Sequence, residues 1–134
     1  MDGTLLRIVI AATMAAVLFG AYRAMTAAVL AHAAKKANHL REFTPGTPGI
    51  LYFTTPECVT CKAAQKPALR ELAERLAGGV QVIEVDAADQ AALAREWSVL
   101  SVPTTFVLDP DGKPRHVNHG FASTNKLLGQ LAAL

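Results

Sequence analysis

The sequence predicts an α/β domain with a mixed four-stranded sheet, preceded by a hydrophobic helix. Short apolar and β-branched runs alternate with leucines at helical spacing, in the order β-α-β-α-β-β-α. A turn over Asp109–Gly112 joins the last two runs as a hairpin. Of the 30 residues in Leu5–Ala34, 24 are apolar, against 44 of the 100 in Lys35–Leu134. The 134-residue chain thus divides into a hydrophobic segment and one domain, which excludes multidomain and repeat architectures.

The hydrophobic segment Leu5–Ala34 is predicted to form one continuous helix, because it contains no proline and a single glycine. Its uncharged stretch, Ile8–Tyr22, has 15 residues, fewer than the ~20 that span hydrocarbon. Arg7 and Arg23 flank this stretch, and their long side chains can reach the lipid headgroups. We predict that residues 1–41 form a single-pass membrane anchor with a basic flank, in contact with membrane lipid.

Two other interpretations of the hydrophobic segment stay open. A cleaved secretory signal has an apolar run of similar length before a small-x-small site, for which Ala31-His32-Ala33 is the candidate. The third interpretation is a peripheral helix or a helix that binds a partner protein.

Net charge is distributed unevenly along the chain. Residues 1–41 contain five basic residues and one acidic residue, whereas residues 42–134 contain eight basic and ten acidic residues. The acidic domain argues against nucleic acid as a partner, because nucleic acid binding needs a basic face. More basic residues follow the apolar run than precede it, which favours a cytoplasmic domain, with the periplasmic or extracellular side as the alternative. His32 and His39 lie near this basic region and are expected to face solvent or headgroups.

The domain is predicted to begin after a linker. Residues 42–49 contain two prolines and two glycines, which is the composition of a linker, so the domain spans residues 50–134. Its first strand is the apolar run Ile50–Phe53. Its first helix is Lys62–Ala77, which has leucines at helical spacing, ends at two glycines and contains Pro67 as an expected kink.

The remaining elements follow at short intervals. Two crossover connections are expected to make the first strands parallel, and the hairpin adds an antiparallel pair. In order, the sequence predicts a strand at Val80–Val85, a short helix from Asp86 to about Trp97, a strand at Thr104–Leu108, a strand at Lys113–Asn118, and a last helix capped by Ser123 or Thr124.

Both cysteines of the chain lie in one Cys-Val-Thr-Cys motif, between the predicted first strand and first helix. A helix N-terminus presents free N–H groups and a positive dipole end, which stabilise a thiolate at Cys58. The thiolate can attack a disulfide and form a mixed disulfide. Cys61 lies one helical turn later, where its sulfur can displace the substrate. The motif therefore predicts thiol–disulfide exchange by Cys58 and Cys61.

Three other interpretations of the cysteine pair stay open. His116 and His119 offer a second half for a zinc site, although their three-residue spacing in a strand directs the two rings to opposite faces. A purely structural disulfide is the second interpretation, although so small a loop constrains the unfolded chain little. The third interpretation is that both cysteines are simply core residues that happen to lie close together in the sequence. We predict no metal site and no cofactor.

The strand Ile50–Phe53, the C-x-x-C motif that opens the helix, and Ser101-Val102-Pro103-Thr104 about forty residues later resemble the thioredoxin superfamily. The resemblance covers roughly Gly49–Leu134 and implies a minimal thioredoxin-like fold without the family's leading strand and helix. It also implies a cis-proline at Pro103 beside the cysteines, where Val102 offers its backbone to an extended substrate segment.

The resemblance also implies partners. The substrates are protein disulfides or dithiols, and an electron-donating reductase or a membrane redox partner recycles the cysteines. The residues between the cysteines, Val59 and Thr60, are predicted to contact the substrate together with Val102 and Pro103. The full prediction is a thiol–disulfide oxidoreductase tethered to a membrane.

The chain departs from the family pattern around the cysteines. Glu57 replaces the usual Trp, Val59-Thr60 replaces Gly-Pro, and Tyr52 stands where many thioredoxins have a buried Asp. Val82 is expected where a lysine partners that Asp, and the helix proline is displaced by one residue. Loss of the Asp–Lys pair removes a proton acceptor for Cys61, so resolution by Cys61 is expected to be slower or to use another base. A redox-inactive thioredoxin-like binding module, for a metal ion or an assembly partner, is therefore the alternative function.

Overall fold

The computed structural model describes residues 2–36 and 40–134, so His39 lies outside the described residues. Its first element is α1, a single helix of 34 residues, Gly3–Lys36, which at ~1.5 Å per residue is roughly 50 Å long. In this helix the apolar side chains up to Met25 are exposed, and Leu18 is 68% exposed. The last turns differ, because Ala33 is fully buried and Val29 and Leu30 pack against the domain core.

After α1, the described chain forms a four-stranded sheet flanked by helices. The strand order is β2-β1-β3-β4, so the predicted mixed four-stranded α/β fold is confirmed. The elements are β1 (Gly49–Thr54), a π-helical turn (Cys61–Gln65), α2 (Lys66–Leu76), β2 (Gln81–Asp86), α3 (Ala91–Glu96), β3 (Thr104–Leu108), β4 (Pro114–His119) and α4 (Thr124–Ala132).

The direction of the third strand differs from the prediction. β1 pairs parallel with β2, as expected, but β3 runs antiparallel to β1, with Thr104 opposite Phe53. The connection between β2 and β3, residues 87–103, contains the six-residue helix α3 and does not cross to the other end of the sheet. The chain therefore enters β3 from the same end at which it left β2.

The helix predicted from Asp86 begins later than expected. Asp86 is the last residue of β2, and its Oδ1 accepts the N–H groups of Ala88 and Asp89 at 2.8 and 3.3 Å. This side chain stabilises a turn over the following residues, so α3 begins only at Ala91.

The predicted first helix contains a wider turn where it begins. Residues Cys61–Gln65 are π-helical, and Pro67 follows this turn as the second residue of α2. A π turn accommodates one extra residue, which accounts for the displaced proline. The helix ends as predicted, with Ala77 left-handed (φ 44°) before Gly78 (φ 90°).

Two apolar cores lie on the two faces of the sheet. The first core lies on one face of the sheet, where α1 and α3 cover alternate strand residues. The second core lies on the other face, which is covered by the π turn, α2 and α4. Fully buried members of the first core include Ala33, Leu51, Phe53, Trp97 and Phe106, and those of the second include Ile50, Cys61, Leu72, Val107 and Leu127.

Residues 42–49, predicted as a linker, are held against the domain. The Gln81 side chain accepts the Thr44 N–H at 3.0 Å and donates to the Thr44 and Thr47 carbonyl oxygens at 2.7 and 2.8 Å. Phe43 packs against the first core, beside Gly112. The hydrogen bonds to one glutamine therefore fix the approach of the chain to β1.

Asp109 closes the hairpin turn between β3 and β4. Its Oδ1 accepts the N–H groups of Asp111 and Lys113, both at 2.9 Å, and its Oδ2 accepts Arg115 Nε at 2.8 Å. Burial by itself raises the pKa of this carboxyl, but the hydrogen bonds outweigh burial and hold the pKa below its ordinary value.

We expect Asp109→Asn to lower the free energy of unfolding by about 1–2 kcal/mol at neutral pH, because an amide presents a donor to Arg115. A lowered pKa stabilises the fold above the ordinary carboxyl pKa, and this contribution is lost as pH falls through the folded-state pKa. The difference between wild type and variant should therefore shrink below pH ~4. Denaturant unfolding of the full chain in neutral detergent, followed by Trp97 fluorescence at several pH values, measures this difference in stability. The exposed Asp111→Asn is the control, and an equal loss in both variants would contradict the prediction.

Candidate active site at the cysteine pair

Cys58 and Cys61 form a disulfide directly after β1, with their Cα atoms 5.2 Å apart. Thr55 to Glu57 make the turn that leads from the strand into the helix, and Cys58 N–H donates to the Thr55 carbonyl oxygen at 3.2 Å. Cys58 precedes the first helical residue, and its carbonyl oxygen accepts the Lys62 N–H. The pair therefore lies at the N-terminal turn of the helix, as the sequence predicts.

The two sulfur atoms have different surroundings. Cys58 is partly exposed, whereas Cys61 is fully buried in the second core. Cys61 N–H donates to Cys58 Sγ at 3.1 Å. After reduction, the same N–H and the positive end of the helix dipole favour a thiolate at Cys58. The arrangement provides one accessible sulfur and one protected sulfur.

The loop before β3 lies against the same site. The Val102–Pro103 peptide bond is cis. Pro103 is buried, and the partly buried Val102 packs against both cores, the second of which also contains the cysteines. Of the other predicted substrate contacts, Val59 is 78% exposed and Thr60 is exposed. The structure thus brings the predicted residues together at one edge of the sheet.

Two exposed apolar residues near this edge were not predicted from the sequence. Leu100, in the loop before β3, is 93% exposed and lines a cleft with Val102. Phe121, in the loop after β4, is 48% exposed and lines a cleft with Ala64 of the cysteine-bearing helix. Neither residue belongs to a periodic apolar pattern. The sequence showed only a single apolar residue next to a serine or a glycine, which does not indicate a binding surface. Both loops lie at the end of the sheet that the cysteines follow, so exposed apolar residues are present at that end.

Gln65 joins the cysteine-bearing helix to the loop after β4. It is fully buried, its Nε2 donates to the Ala122 carbonyl oxygen at 3.0 Å, and its Oε1 accepts the Ala122 N–H at 2.9 Å. Gln65 is the last residue of the π turn that begins at Cys61. One side chain therefore fixes the position of Phe121 relative to the cysteines.

We expect Gln65→Ala to lower the free energy of unfolding by about 2–4 kcal/mol, because both backbone groups of Ala122 would be left buried without partners. Denaturant unfolding of the full chain, followed by Trp97 fluorescence, measures the change. Gln90→Ala, at an exposed position where the side chain makes no helix-capping bond, should change stability little. Similar free energies of unfolding for the two variants would show that the two hydrogen bonds to Ala122 do not stabilise the fold.

The neighbours of Tyr52 on β2 follow from the parallel register. Glu84 pairs with Tyr52, and Val82 pairs with Ile50. Lys66 Nζ lies 3.1 Å from Glu84 Oε1 in a surface ion pair. That Val82 replaces the family's lysine stays a prediction.

Tyr52 is a poor proton acceptor for Cys61. It is 1% exposed, and burial raises the pKa of its hydroxyl above the ordinary value of about 10. A phenol that stays neutral cannot replace a buried carboxylate as a base. The expectation that resolution by Cys61 is slower than in a site with such a carboxylate stays a prediction.

The two histidines considered as zinc ligands occupy different environments on β4. His116 is partly buried and pairs with Val107, whereas His119 is exposed and pairs with Thr104. Within residues 2–36 and 40–134, no group of three or more His, Cys, Asp or Glu side chains is placed to hold a metal ion.

Comparison with known proteins identifies a family. Residues 30–133 match the family model described as Thioredoxin, so the match begins inside α1, earlier than the expected start at residue 49. Thioredoxin Y, a chloroplastic protein of Oryza sativa subsp. japonica, is 29% identical over 84 residues, which cover 63% of this chain and 49% of that protein. The chain thus spans about half the length of this curated relative.

Solved structures agree with the family match. Thioredoxin-2 of the malaria parasite, a component of its protein secretion machinery, has a TM-score of 0.62 at 26% identity, over 66% of this chain and 84% of that structure. The thioredoxin of Fasciola hepatica has a TM-score of 0.58 at 25% identity, over 66% of this chain and 82% of that structure. With this sheet order and with the disulfide at the start of a helix, the chain belongs to the thioredoxin family.

Proposed function

We propose that this protein is a membrane-tethered thiol–disulfide oxidoreductase that acts on protein substrates through Cys58 and Cys61. The observation that carries the proposal is the asymmetry of the pair at a helix N-terminus. Cys58 is partly exposed and accepts the Cys61 N–H, whereas Cys61 is fully buried. This arrangement suits a nucleophile that meets the substrate and a second sulfur that acts only afterwards.

In the reductive direction, the Cys58 thiolate attacks one sulfur of a substrate disulfide. The substrate S–S bond breaks, a mixed disulfide with Cys58 forms, and the second substrate sulfur leaves and takes up a proton. Cys61 then loses its proton and attacks Cys58 Sγ, which releases the first substrate sulfur as a thiol. The substrate has gained two electrons and two protons, and the protein holds the Cys58–Cys61 disulfide. A dithiol reductase or a membrane redox partner must return the two electrons.

The substrate is proposed to bind beside the disulfide and to contact the exposed apolar residues of the neighbouring loops. Val102 and Pro103 form one side, and the backbone of Val102 is available to an extended segment. Val59 and Thr60 project from the first helical turn, and Leu100 and Phe121 are the exposed apolar residues on the flanking loops. An apolar rim of this kind favours an unfolded or extended protein segment over a small polar disulfide.

The first two-thirds of α1 are proposed to be the tether. Within the described residues, Gly3–Lys35 is long and apolar enough to cross a membrane. The burial of Val29, Leu30 and Ala33 argues against a signal cleaved after Ala33, because cleavage would remove core residues. The excess of basic residues after the apolar run favours a cytoplasmic domain, and a topology reporter fused to the C-terminus would give the opposite signal for a periplasmic one.

A turnover assay tests the enzyme. The full chain in neutral detergent, supplied with a dithiol reductant, should reduce a disulfide-bonded model protein faster than the reductant alone. Cys58→Ser should lose the enhancement, with a fall of about 10³-fold or more, as expected when a covalent nucleophile is removed. Asp111→Asn, at an exposed position in the hairpin turn at the other end of the sheet, should keep the wild-type rate. A wild-type chain that binds the oxidised substrate without reducing it would instead indicate the binding module.

A further inference from the structure

A notch of about 400 Å³ lies between α1 and the start of β4. Its polar lining consists of Tyr22, Arg23, Thr26, Arg115, His116 and Gln130. β4 is antiparallel to β3, so Arg115 and His116 lie at the edge of the sheet where β1 begins. The cysteines follow the other end of β1, and the notch is therefore at the edge opposite the active site.

The notch also lies where α1 would leave a membrane. Arg23 is the first charged residue after the uncharged stretch Ile8–Tyr22. Tyr22 beside it is 55% exposed, and tyrosine is enriched at the level of the lipid headgroups. If the exposed part of α1 spans the bilayer, the notch faces the headgroup phosphates on the side of the domain.

The side chains in the notch suit a bound phosphate. Arg115 uses Nε to donate to Asp109 Oδ2, which fixes its guanidinium, and its side chain remains 55% exposed. Arg23 supplies a second guanidinium from α1. Thr26 lines the notch between the two arginines.

Resting on the proposed tether, we propose that this notch binds the phosphate of an anionic membrane lipid between Arg23 and Arg115. Guanidinium groups bind phosphate oxygens through charge-assisted hydrogen bonds, often two at a time. Arg115 and His116 also line the neighbouring cleft, but there Asp109 and Asp111 add two carboxylates, so the side of the notch nearest α1 is the more favourable place for an anion.

The bound lipid would fix the orientation of the domain. β4 has six residues, so the notch and the active-site edge are separated by ~20 Å. With the notch on the headgroups, the Cys58–Cys61 disulfide faces away from the bilayer. The proposed enzyme would then accept segments that extend from the membrane surface into solution, rather than disulfides at the level of the headgroups.

Native mass spectrometry of the full chain in neutral detergent tests the site. We expect wild type to retain phosphatidylglycerol in preference to phosphatidylcholine, and Arg23→Gln and Arg115→Gln each to weaken retention about tenfold. Arg70→Gln removes an exposed arginine on α2, across the sheet, and should change nothing. Trp97 fluorescence verifies that each variant is folded.

Three results would overturn the assignment: equal retention of the two lipids, equal retention by wild type and the two arginine variants, or an equal loss in Arg70→Gln. Millimolar inorganic phosphate that displaces phosphatidylglycerol completely would assign the notch to free phosphate instead. Disulfide reduction measured on the same samples, and carbonate extraction of membranes containing the chain, report separately on the enzyme and on the tether.

Discussion

A Cys61→Ser variant of the full chain is expected to accumulate a covalent adduct with a disulfide-bonded model substrate. Cys58 can still attack the substrate and form the mixed disulfide, but a serine hydroxyl at position 61 is not a nucleophile strong enough to break it. Non-reducing electrophoresis and intact mass spectrometry should show the sum of the two masses, and a reductant should release both proteins. Turnover should fall by about 10³-fold or more.

The reverse substitution is the matched control for the trap. Cys58→Ser leaves Cys61, which is fully buried, as the remaining thiol. It should form little or no adduct with the same substrate. Equal adducts in both single variants would contradict the assigned order of attack, and no adduct in either would contradict the proposed function.

The second large effect is expected at the end of α1. Ala33 is fully buried in the first core, against residues of the sheet. Ala33→Glu places an unpaired carboxylate there, and we expect it to lower the free energy of unfolding by about 3–5 kcal/mol. Denaturant unfolding in neutral detergent measures this loss. Trp97 is the reporter, since it is fully buried with its ring 4.9 Å from Phe106 in the same core.

Ala31→Glu makes the same chemical change two residues away, on an exposed position of the same helix, and should alter stability by less than about 0.5 kcal/mol. If Ala33→Glu is as stable as Ala31→Glu, the last turns of α1 are not part of the folded domain. That result would also return the cleaved-signal interpretation to consideration, because cleavage would then remove no core residue.

Much of the active site followed from local sequence. An apolar run followed by C-x-x-C predicts cysteines at a helix N-terminus, because a strand end and a helix start are both local properties. Val102 and Pro103 came from resemblance to a family, and the structure packs Val102 against the core that contains the cysteines, with Pro103 joined to it by a cis bond. Leu100 and Phe121 could not be found in this way, because an apolar residue in a loop has a role only once the fold brings that loop to the site.

Features that depend on pairing between distant segments could not be predicted from local sequence. The neighbour of Tyr52 depends on the register of β1 and β2, which is set by backbone hydrogen bonds between two strands about thirty residues apart. The antiparallel direction of β3 depends on its pairing with β1, and the sequence alone predicted the wrong direction. The clamp at Gln65 depends on Ala122, 57 residues away.

The apolar N-terminal segment shows this division most clearly. Its composition determined by itself that residues 5–34 form a continuous apolar helix, since helix propensity and hydropathy are sums over neighbouring residues. Which of its apolar residues are exposed and which are core was decided only by tertiary structure. Val29, Leu30 and Ala33 are as apolar as the residues before Arg23, but contact with the sheet buries them, and this contact is invisible in a one-dimensional pattern.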